Sequence, residues 1–305
     1  MPAMHLIDSH CHLQADRFVE DVDLVVGAAR LAGLERILVP GWDLASSTAA
    51  LELVDRFSWL NAAVGVHPHD AAGADESLWL EIAALALDPR VVAIGETGLD
   101  YDRVFSPIGS QLANLRHHLA LAIDVGKPVI LHVRSAPGRR DAQDTLVAEL
   151  RAAGFGGPRV AEAFGDHPGA VIHSFSGPVD YARTVIDLGL AISISGLAFR
   201  AGEEPTAEVA ALVPLDRLLV ETDSPFLSPP GAPRRRNEPE WVRLTTDWVA
   251  ERRSIPPIEL GKALLAAYDA TFYAPDRPVL TAAEHSSYTA STLTPRVLID
   301  PDPQG

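Results

Sequence analysis

The amino-acid sequence predicts an α/β protein that forms a single (β/α)8 barrel of the TIM type. Three observations support this fold class: short apolar runs rich in β-branched residues recur along the chain, longer Ala- and Leu-rich segments of helical spacing separate them, and most connections are short. Strands that alternate with helices form parallel βαβ units. Eight such units in a chain of 305 residues favour a closed barrel over an open doubly wound sheet.

The strand and helix candidates follow one another along the chain in the order that a barrel requires. The eight strand candidates are HLIDS (5–9), RILVP (36–40), LNAAVGV (60–66), VVAIG (91–95), PVILH (128–132), AVIHS (170–174), LAISIS (190–195) and RLLVE (217–221). The helix candidates lie near 20–32, 45–57, 76–87, 109–125, 140–153, 178–188 and 206–213, with two more at 239–252 and 257–270.

Two regions depart from this regular alternation. The stretch from about 154 to 169, which contains GFGGP and DHPG, lengthens the connection between the fifth and sixth strands. The segment 274–305 follows the last helix candidate and is rich in Pro, Ser and Thr; it is either an extra hairpin, since RPVLT and PRVLID are strand-like, or a loosely held tail. We therefore divide the chain into one barrel domain, residues 1–273, and a C-terminal extension, residues 274–305.

Composition and charge limit the classes of function. The formal net charge of −16 argues against non-specific binding of nucleic acid, but metals and a local basic rim can still hold a phosphate substrate. No run approaches the roughly 18 apolar residues of a membrane span, and the start MPAMHLIDSHCHL lacks the features of a secretory signal. The single cysteine, Cys11, suits a reducing compartment. We therefore expect a cytoplasmic protein without a membrane contact or an obligate protein partner.

Six side chains able to bind metal occur at the ends of the strand candidates. His10 and His12 follow the first strand, Glu96 follows the fourth, His132 ends the fifth, His173 ends the sixth and Asp223 follows the eighth. Active sites of α/β barrels are built where the carboxyl ends of the strands meet. A lone histidine is more often a core residue than a ligand, but the joint placement of six such residues predicts a metal site at this end of the barrel.

The spacing of His10 and His12 is specific in itself. In extended backbone, residues i and i+2 point to the same side about 6.5–7 Å apart, so both imidazoles can reach one ion. Imidazoles combined with carboxylates suit zinc, manganese, iron or cobalt. Asp8 faces the same side deeper in the barrel, where it either orients an imidazole or is an ordinary buried polar residue.

The remaining residues suggest how the candidate ligands are shared between two ions. Related barrel hydrolases often bridge two metals with a carboxylated lysine, but Lys127 begins a strand, so Glu96 is the better bridging candidate. His132 and His173 would complete the second site. Asp223, in VETDSP, lies on a Pro-limited turn where it could bind the first metal and accept a proton from the attacking water.

Three further residues are candidates for substrate binding at the mouth of the barrel. His67 and His69 lie in GVHPHD after the third strand, with a substrate-facing role expected for His67, and Arg134 lies two residues beyond His132, where it could bind an anion. Arg236, in RRRNEP, is a third candidate, with a solvated basic loop as the equal alternative.

The segments that contain these residues resemble the TatD-like metal-dependent deoxyribonucleases, a branch of the amidohydrolase-type barrels. The matching segments are DSHCHL (8–13), GVHPHD (65–70), IGETGLDY (94–101), KPVILHVRSA (127–136), IHSFSG (172–177), SISG (193–196), VETDSPFLSP (220–229) and RNEP (236–239). They occur in family order and cover residues 5 to about 272. The insertion at 154–169 and the segment after about 273 are longer than is usual in the family, which leaves the choice of substrate open.

The resemblance implies a TIM-type barrel, two divalent metal ions per chain and hydrolysis of DNA phosphodiester bonds, by a 3′–5′ exonuclease mode. Mg²⁺, Mn²⁺ and Zn²⁺ all remain candidates for the metal. By position, the first ion would be bound by His10, His12, Glu96 and Asp223, and the second by Glu96, His132 and His173. DNA is thus the expected partner, and Asp223 and Glu96 are the expected catalytic residues.

Two alternatives remain open from the sequence. One is an amidohydrolase-type enzyme in which a metal polarises the carbonyl group of an ester, lactone, amide or aminoacyl-tRNA; an apolar mouth would favour it, whereas arginines at the rim favour a phosphate substrate. The other is a non-catalytic regulatory protein that keeps its metals for stability. The complete set of six candidate ligands disfavours this second alternative.

Overall fold

Eight parallel strands form one sheet, as the sequence predicts. The structure is a computed structural model that describes residues 5–273. The strands are β1 (Leu6–Asp8), β2 (Leu34–Pro40), β3 (Leu60–Val64), β4 (Val91–Asp100), β5 (Val129–Arg134), β6 (Ala170–Ile172), β7 (Leu190–Ile194) and β8 (Leu218–Val220). Each strand pairs in parallel with the next one along the chain, so the sheet order is β1 to β8 without a crossover. The prediction of a (β/α)8 barrel is confirmed.

Backbone hydrogen bonds join the first and last strands of the sheet. The amide of Ser9 donates to the carbonyl of Val220 at 3.0 Å, and the amide of His12 donates to the carbonyl of Ser224 at 2.8 Å. The amide of Asp223 in turn donates to the carbonyl of His10 at 2.9 Å. These bonds lie at or just beyond the ends of β1 and β8, so they close the barrel where three of the predicted metal ligands are placed.

Ten α-helices within residues 5–273 surround the strands. They are α1 (Val22–Ala32), α2 (Leu44–Arg56), α3 (Glu76–Ala86), α4 (Ile108–Val125), α5 (Asp141–Ala153), α6 (Pro158–Phe164), α7 (Val179–Asp187), α8 (Pro205–Leu212), α9 (Val242–Arg253) and α10 (Pro257–Phe272). Within this part of the chain, none of the helices combines the length and the apolar character that crossing a membrane would demand. The predicted extension at 274–305 lies outside the described residues.

The irregular stretch between the fifth and sixth strands contains a short helix that the sequence analysis did not predict. Helix α6 begins with Pro158 at its first position, where the missing amide of proline costs no helical hydrogen bond. Its Phe164 is buried and packs with Phe155 close to Gly169. The apolar face is short, which explains why its periodicity is weak in the sequence.

Strand β4 is longer and less regular than predicted. It continues to Asp100, and its register against β5 shifts between Ile94 and Thr97, so Glu96 lies at an irregularity inside the strand. Similarly, β5 continues to Arg134, so His132 lies within the strand. Gly98 allows β4 to approach β5 closely. Its φ is +142°, and a Cβ atom at this position would lie 1.9 Å from the carbonyl oxygen of His132.

Candidate metal centre

The first group of predicted ligands converges around one oxygen of Glu96. His10 Nε2 lies 3.2 Å and His12 Nε2 lies 3.6 Å from Glu96 Oε2. Asp223 Oδ1 lies 3.5 Å from His12 Nε2 and 3.8 Å from His10 Nε2. His10, His12 and Glu96 are buried, and the side chain of Asp223 is 14% exposed toward the cavity. The structure thus brings together the four side chains predicted for the first ion.

The second group converges around the other oxygen of the same carboxylate. His132 Nδ1 lies 3.2 Å and His173 Nε2 lies 3.0 Å from Glu96 Oε1. These two ring nitrogens are 3.3 Å from each other. The two oxygens of Glu96 therefore face two different sets of imidazoles, which is the arrangement that a carboxylate bridging two ions requires.

The donor atoms fit divalent cations. The Nε2 atoms of His10 and His12 face each other at 3.1 Å in a buried position where both also approach carboxylate oxygens. Within residues 5–273, the buried Nδ1 atom of His10 has no hydrogen-bond partner. Nitrogen and oxygen lone pairs clustered in this way suit a transition metal or another small divalent ion.

Electrostatics keep the central carboxylate ionised. Burial alone would raise the pKa of Glu96, but the surrounding imidazoles, above all the charge on His173, outweigh burial and hold this pKa well below its usual value. Burial lowers the pKa of His10, so this imidazole favours the neutral form that binds metals. The site therefore offers an anionic bridge and at least one neutral imidazole near neutral pH.

Two carboxylates that the sequence analysis did not single out hold the candidate ligands in place. Glu221 Oε1 lies 3.2 Å from His173 Nδ1 and accepts a hydrogen bond from the backbone amide of Ser174 at 2.7 Å. Asp100 Oδ2 lies 3.4 Å from His132 Nε2. A carboxylate behind an imidazole fixes the ring orientation and raises its basicity. Glu221 could have been found from the sequence, because it lies two residues before Asp223 at a strand end.

Asp8 has the second of its two predicted roles. Its carboxylate accepts hydrogen bonds from the backbone amide and the hydroxyl of Thr222, at 2.9 Å and 2.5 Å. It also accepts from the backbone amide of His10 at 3.3 Å, rather than from the imidazole. Asp8 is a buried polar residue that ties the end of β1 to the end of β8.

His67 lies closer to the centre than a rim residue would. Its Nε2 is 3.2 Å from Glu96 Oε1, and its Nδ1 accepts a hydrogen bond from the backbone amide of His69 at 3.1 Å. Burial lowers the pKa of His67 to about 4, so the ring is neutral and carries its proton on Nε2. His69 Nε2 lies 2.8 Å from Asp100 Oδ2. His69 thus lies on this side of the site, as the sequence indicated, and His67, His69 and His132 form a further group of potential ligands.

The two predicted arginines have different positions. A cavity of about 920 Å³ lies over the candidate ligands, and Arg134 is among the residues that line it. Its guanidinium donates to Asp102 at 2.7 Å. Arg236 is not among the described residues lining the cavity; its guanidinium binds Asp21 at 2.8 Å and Glu238 at 2.7 Å. Its charge is balanced by these two carboxylates, so Arg236 braces the loop to the start of α1.

A (β/α)8 barrel with histidines and carboxylates gathered at the carboxyl ends of its strands is typical of metal-dependent hydrolases. The sequence profile described as "TatD related DNase" matches residues 7–273. The chain belongs to the TatD family, and the resemblance found in the sequence is confirmed.

Individual relatives agree with this assignment. The "uncharacterized metal-dependent hydrolase YabD" of Bacillus subtilis is 36% identical over 251 residues, which cover 82% of this chain and 92% of the relative. The "3′-5′ ssDNA/RNA exonuclease TatD" of Klebsiella pneumoniae is 37% identical over 243 residues, covering 78% and 86%. The crystal structure of the Escherichia coli TatD homologue YJJV superposes with a TM-score of 0.77 at 30% identity and covers 89% of this chain and 99% of its own.

Proposed function

We propose that this member of the TatD family is a deoxyribonuclease that removes nucleotides from the 3′ end of DNA with two divalent ions. The observation that supports this proposal is Glu96, whose two carboxylate oxygens face separate groups of imidazoles beneath one cavity. Two ions held about 3.5–4 Å apart are the common arrangement for phosphodiester hydrolysis. The Klebsiella pneumoniae relative named as a 3′–5′ exonuclease supports the direction of cleavage.

The candidate ligands divide between the two ions. His10, His12, Glu96 and Asp223 would hold the first, and Glu96, His132 and His173 would hold the second. The mixture of nitrogen and oxygen donors is compatible with Mn²⁺ and Zn²⁺, and with Mg²⁺ where water completes the coordination. The bound ions would supply the Lewis acidity that makes water a nucleophile near neutral pH and offsets the charge of the phosphate.

The chain's own residues orient the substrate and move the proton. The Asp223 carboxylate is the proposed general base, because it reaches both the ligand imidazoles and the open cavity. The Nε2–H of His67 faces Glu96 Oε1 at 3.2 Å, while its Nδ1 accepts from the backbone amide of His69. With the oxygens of Glu96 bound to the ions, this N–H would be free to donate to a phosphate oxygen. Arg134 at the cavity wall, although paired with Asp102, places a guanidinium where the phosphate backbone would pass.

The experiment uses the full chain loaded with Mg²⁺, Mn²⁺ or Zn²⁺ and 5′-labelled single-stranded DNA, double-stranded DNA, RNA and a circular single strand. The proposal expects a ladder that shortens from the 3′ end of linear DNA, no cleavage of the circle, and no reaction in EDTA. Cleavage of the circle would show an endonuclease. Hydrolysis of carboxylic esters or lactones without cleavage of DNA would instead establish the carbonyl alternative.

A further inference from the structure

An exposed aromatic ring lies beside the candidate ligands on one wall of the cavity. Phe226 lines the cavity and is 51% exposed, although it lies three residues after Asp223. Its ring is 6.2 Å from the ring of His12, with an angle of 70° between the planes. Trp42, which also lines the cavity, lies 5.3 Å from the same imidazole. The wall next to the predicted first ion is therefore aromatic.

The backbone fixes the position of Phe226 relative to the centre. Its amide donates to the carbonyl of Asp223 at 2.8 Å, which closes a tight turn that starts at the proposed general base. The next residue, Leu227, has a φ of +48°, and its carbonyl packs against Gly196, where a Cβ atom would approach to 1.7 Å. Phe226 is thus presented to the cavity by a backbone with little freedom to move.

The guanidinium group of Arg17 lies close to the Phe226 ring. Arg17 lines the cavity, and the carbon at the centre of its guanidinium lies 5.9 Å from the centroid of the Phe226 ring. Among residues 5–273, no carboxylate lies within ion-pair distance of Arg17, whose Nη1 donates to the carbonyl of Arg235 at 3.4 Å. Arg134 and Arg236, in contrast, are paired with carboxylates. Arg17 therefore keeps its charge available for a ligand.

We propose that Phe226 stacks on the base next to the hydrolysed phosphate and that Arg17 binds the following phosphate of a single-stranded nucleic acid. This inference rests on the proposed nuclease function and adds a subsite that favours single-stranded over double-stranded ends. An exposed aromatic face with a neighbouring cation is the usual platform for single strands, because every base has a π-face and every nucleotide has a phosphate. A base within a duplex is already paired and stacked, so this subsite favours unpaired 3′ ends.

The first test separates base stacking from other roles of the ring. Fluorescence anisotropy measures binding of the metal-loaded protein to two probes. The first is an oligodeoxynucleotide with a hydrolysis-resistant phosphorothioate at its last linkage. The second, the abasic probe, is the same oligonucleotide with its last two nucleotides replaced by abasic sites. Phe226→Ala should weaken binding of the first probe by about tenfold or more, the usual effect of losing one stacked base. Binding of the abasic probe should change by less than about twofold. Phe226→Trp should retain the preference for bases, whereas Phe226→Leu should lose it.

The matched control is Phe105→Ala. Phe105 is 67% exposed and its ring lies 4.7 Å from that of His69, but it is not among the described residues lining the cavity. The Phe105→Ala substitution should leave binding of both probes unchanged. Equal losses on both probes with Phe226→Ala, or full retention of base preference with Phe226→Leu, would overturn the stacking assignment.

The second test concerns the phosphate contact. Arg17→Ala should make the salt dependence of single-strand binding shallower by about 0.7 in the slope of log K against log salt, the value for one phosphate contact. Arg30→Ala removes the same charge from α1, where the guanidinium packs over Trp59 at 5.2 Å, and should leave the slope unchanged. An unchanged slope with Arg17→Ala would exclude the contact.

The outcomes distinguish this inference from the proposed function. If the wild-type protein prefers the base-bearing probe through Phe226 but cleaves no linear DNA, the nuclease proposal is wrong and the subsite stands. If it cleaves linear DNA while Phe226→Ala keeps the wild-type KM and base preference, the nuclease proposal stands and the subsite is wrong.

Discussion

At the scale of single residues, Glu96 occupies the centre of the site. Its two oxygens lie within 3.6 Å of the facing nitrogens of five imidazoles, those of His10, His12, His67, His132 and His173. A buried carboxylate is costly unless cations or protonated imidazoles balance its charge. Its role can therefore be tested by removing the charge while keeping the shape.

We expect Glu96→Gln to lower turnover by at least about a hundredfold, the scale of losing one electrostatic group at an active centre. The neutral amide weakens both proposed ion sites together, so metal content should fall as well. Activity, metal analysis and circular dichroism on the same sample measure the three quantities. Glu149→Gln, which removes a carboxylate that pairs with Arg116 and is not among the described residues lining the cavity, is the control. A folded Glu96→Gln protein with near-normal turnover would remove Glu96 from the mechanism.

Asp223→Asn tests the general base separately from the metals. The amide keeps the shape of the side chain but cannot accept a proton, so turnover should be lost while single-stranded DNA still binds. Metal content is measured in the same sample, because Asp223 is also a proposed ligand. Retained metal with lost turnover supports the assignment. Full metal occupancy with substantial activity between about pH 6 and 9 would show that another group accepts the proton.

At the scale of elements, the irregular strand β4 positions Glu96. The register shift between Ile94 and Thr97 turns this part of the strand away from regular pairing, and glycines allow β4 to approach β5 closely. Gly98 combines a φ of +142° with a position where a Cβ atom would meet the carbonyl of His132. The strand that holds the central carboxylate therefore depends on glycine for its geometry.

We expect Gly98→Ala to reduce the free energy of unfolding by at least about 2 kcal/mol, because positive-φ strain alone costs about 1–3 kcal/mol and the Cβ atom also displaces β5. Gly27→Ala is the matched control: it lies in α1 with no atom within 4 Å of the added Cβ, so it should be neutral or stabilise by up to about 1 kcal/mol. Urea unfolding followed by circular dichroism gives both values. Similar midpoints for the two variants would show that β4 tolerates a side chain there.

At the scale of the whole molecule, the candidate ligands join distant parts of the chain. They come from the ends of β1, β6 and β8 and from within β4 and β5, so bound ions would tie together most of the barrel circumference. Ions that bind only the folded state stabilise it, by about 2.7 kcal/mol at a concentration one hundred times the dissociation constant. The metals should therefore affect stability as well as activity.

We expect two ions per chain by elemental analysis and a lower thermal midpoint after treatment with a chelator. Calorimetry before and after removal of the ions, and again after their return, measures the shift. His117→Ala provides a control, because this histidine stacks on Trp79 away from the centre and its loss should leave both quantities unchanged. Only trace metal after reconstitution, or an identical midpoint with and without chelator, would contradict the two-ion proposal.

The sequence by itself determined the fold class and which side chains gather. Short apolar runs rich in β-branched residues, separated by segments of helical spacing, reflect which residues must be buried, so the eight strands and their order could be predicted locally. The six candidate ligands could be predicted because strand ends meet at one edge of a barrel. Helix α6 could not, since its apolar face is too short to show a period.

Only the tertiary structure decided which atoms face each other. The two-sided environment of Glu96 depends on the irregular register of β4, and the support of His173 by Glu221 joins residues 48 positions apart. The pairing of Arg236 with Asp21 likewise joins residues separated by 215 positions. Hydrogen bonds and ion pairs depend on distances of a few ångströms in space. The number of residues between two side chains along the chain does not specify how far apart they lie in the folded protein.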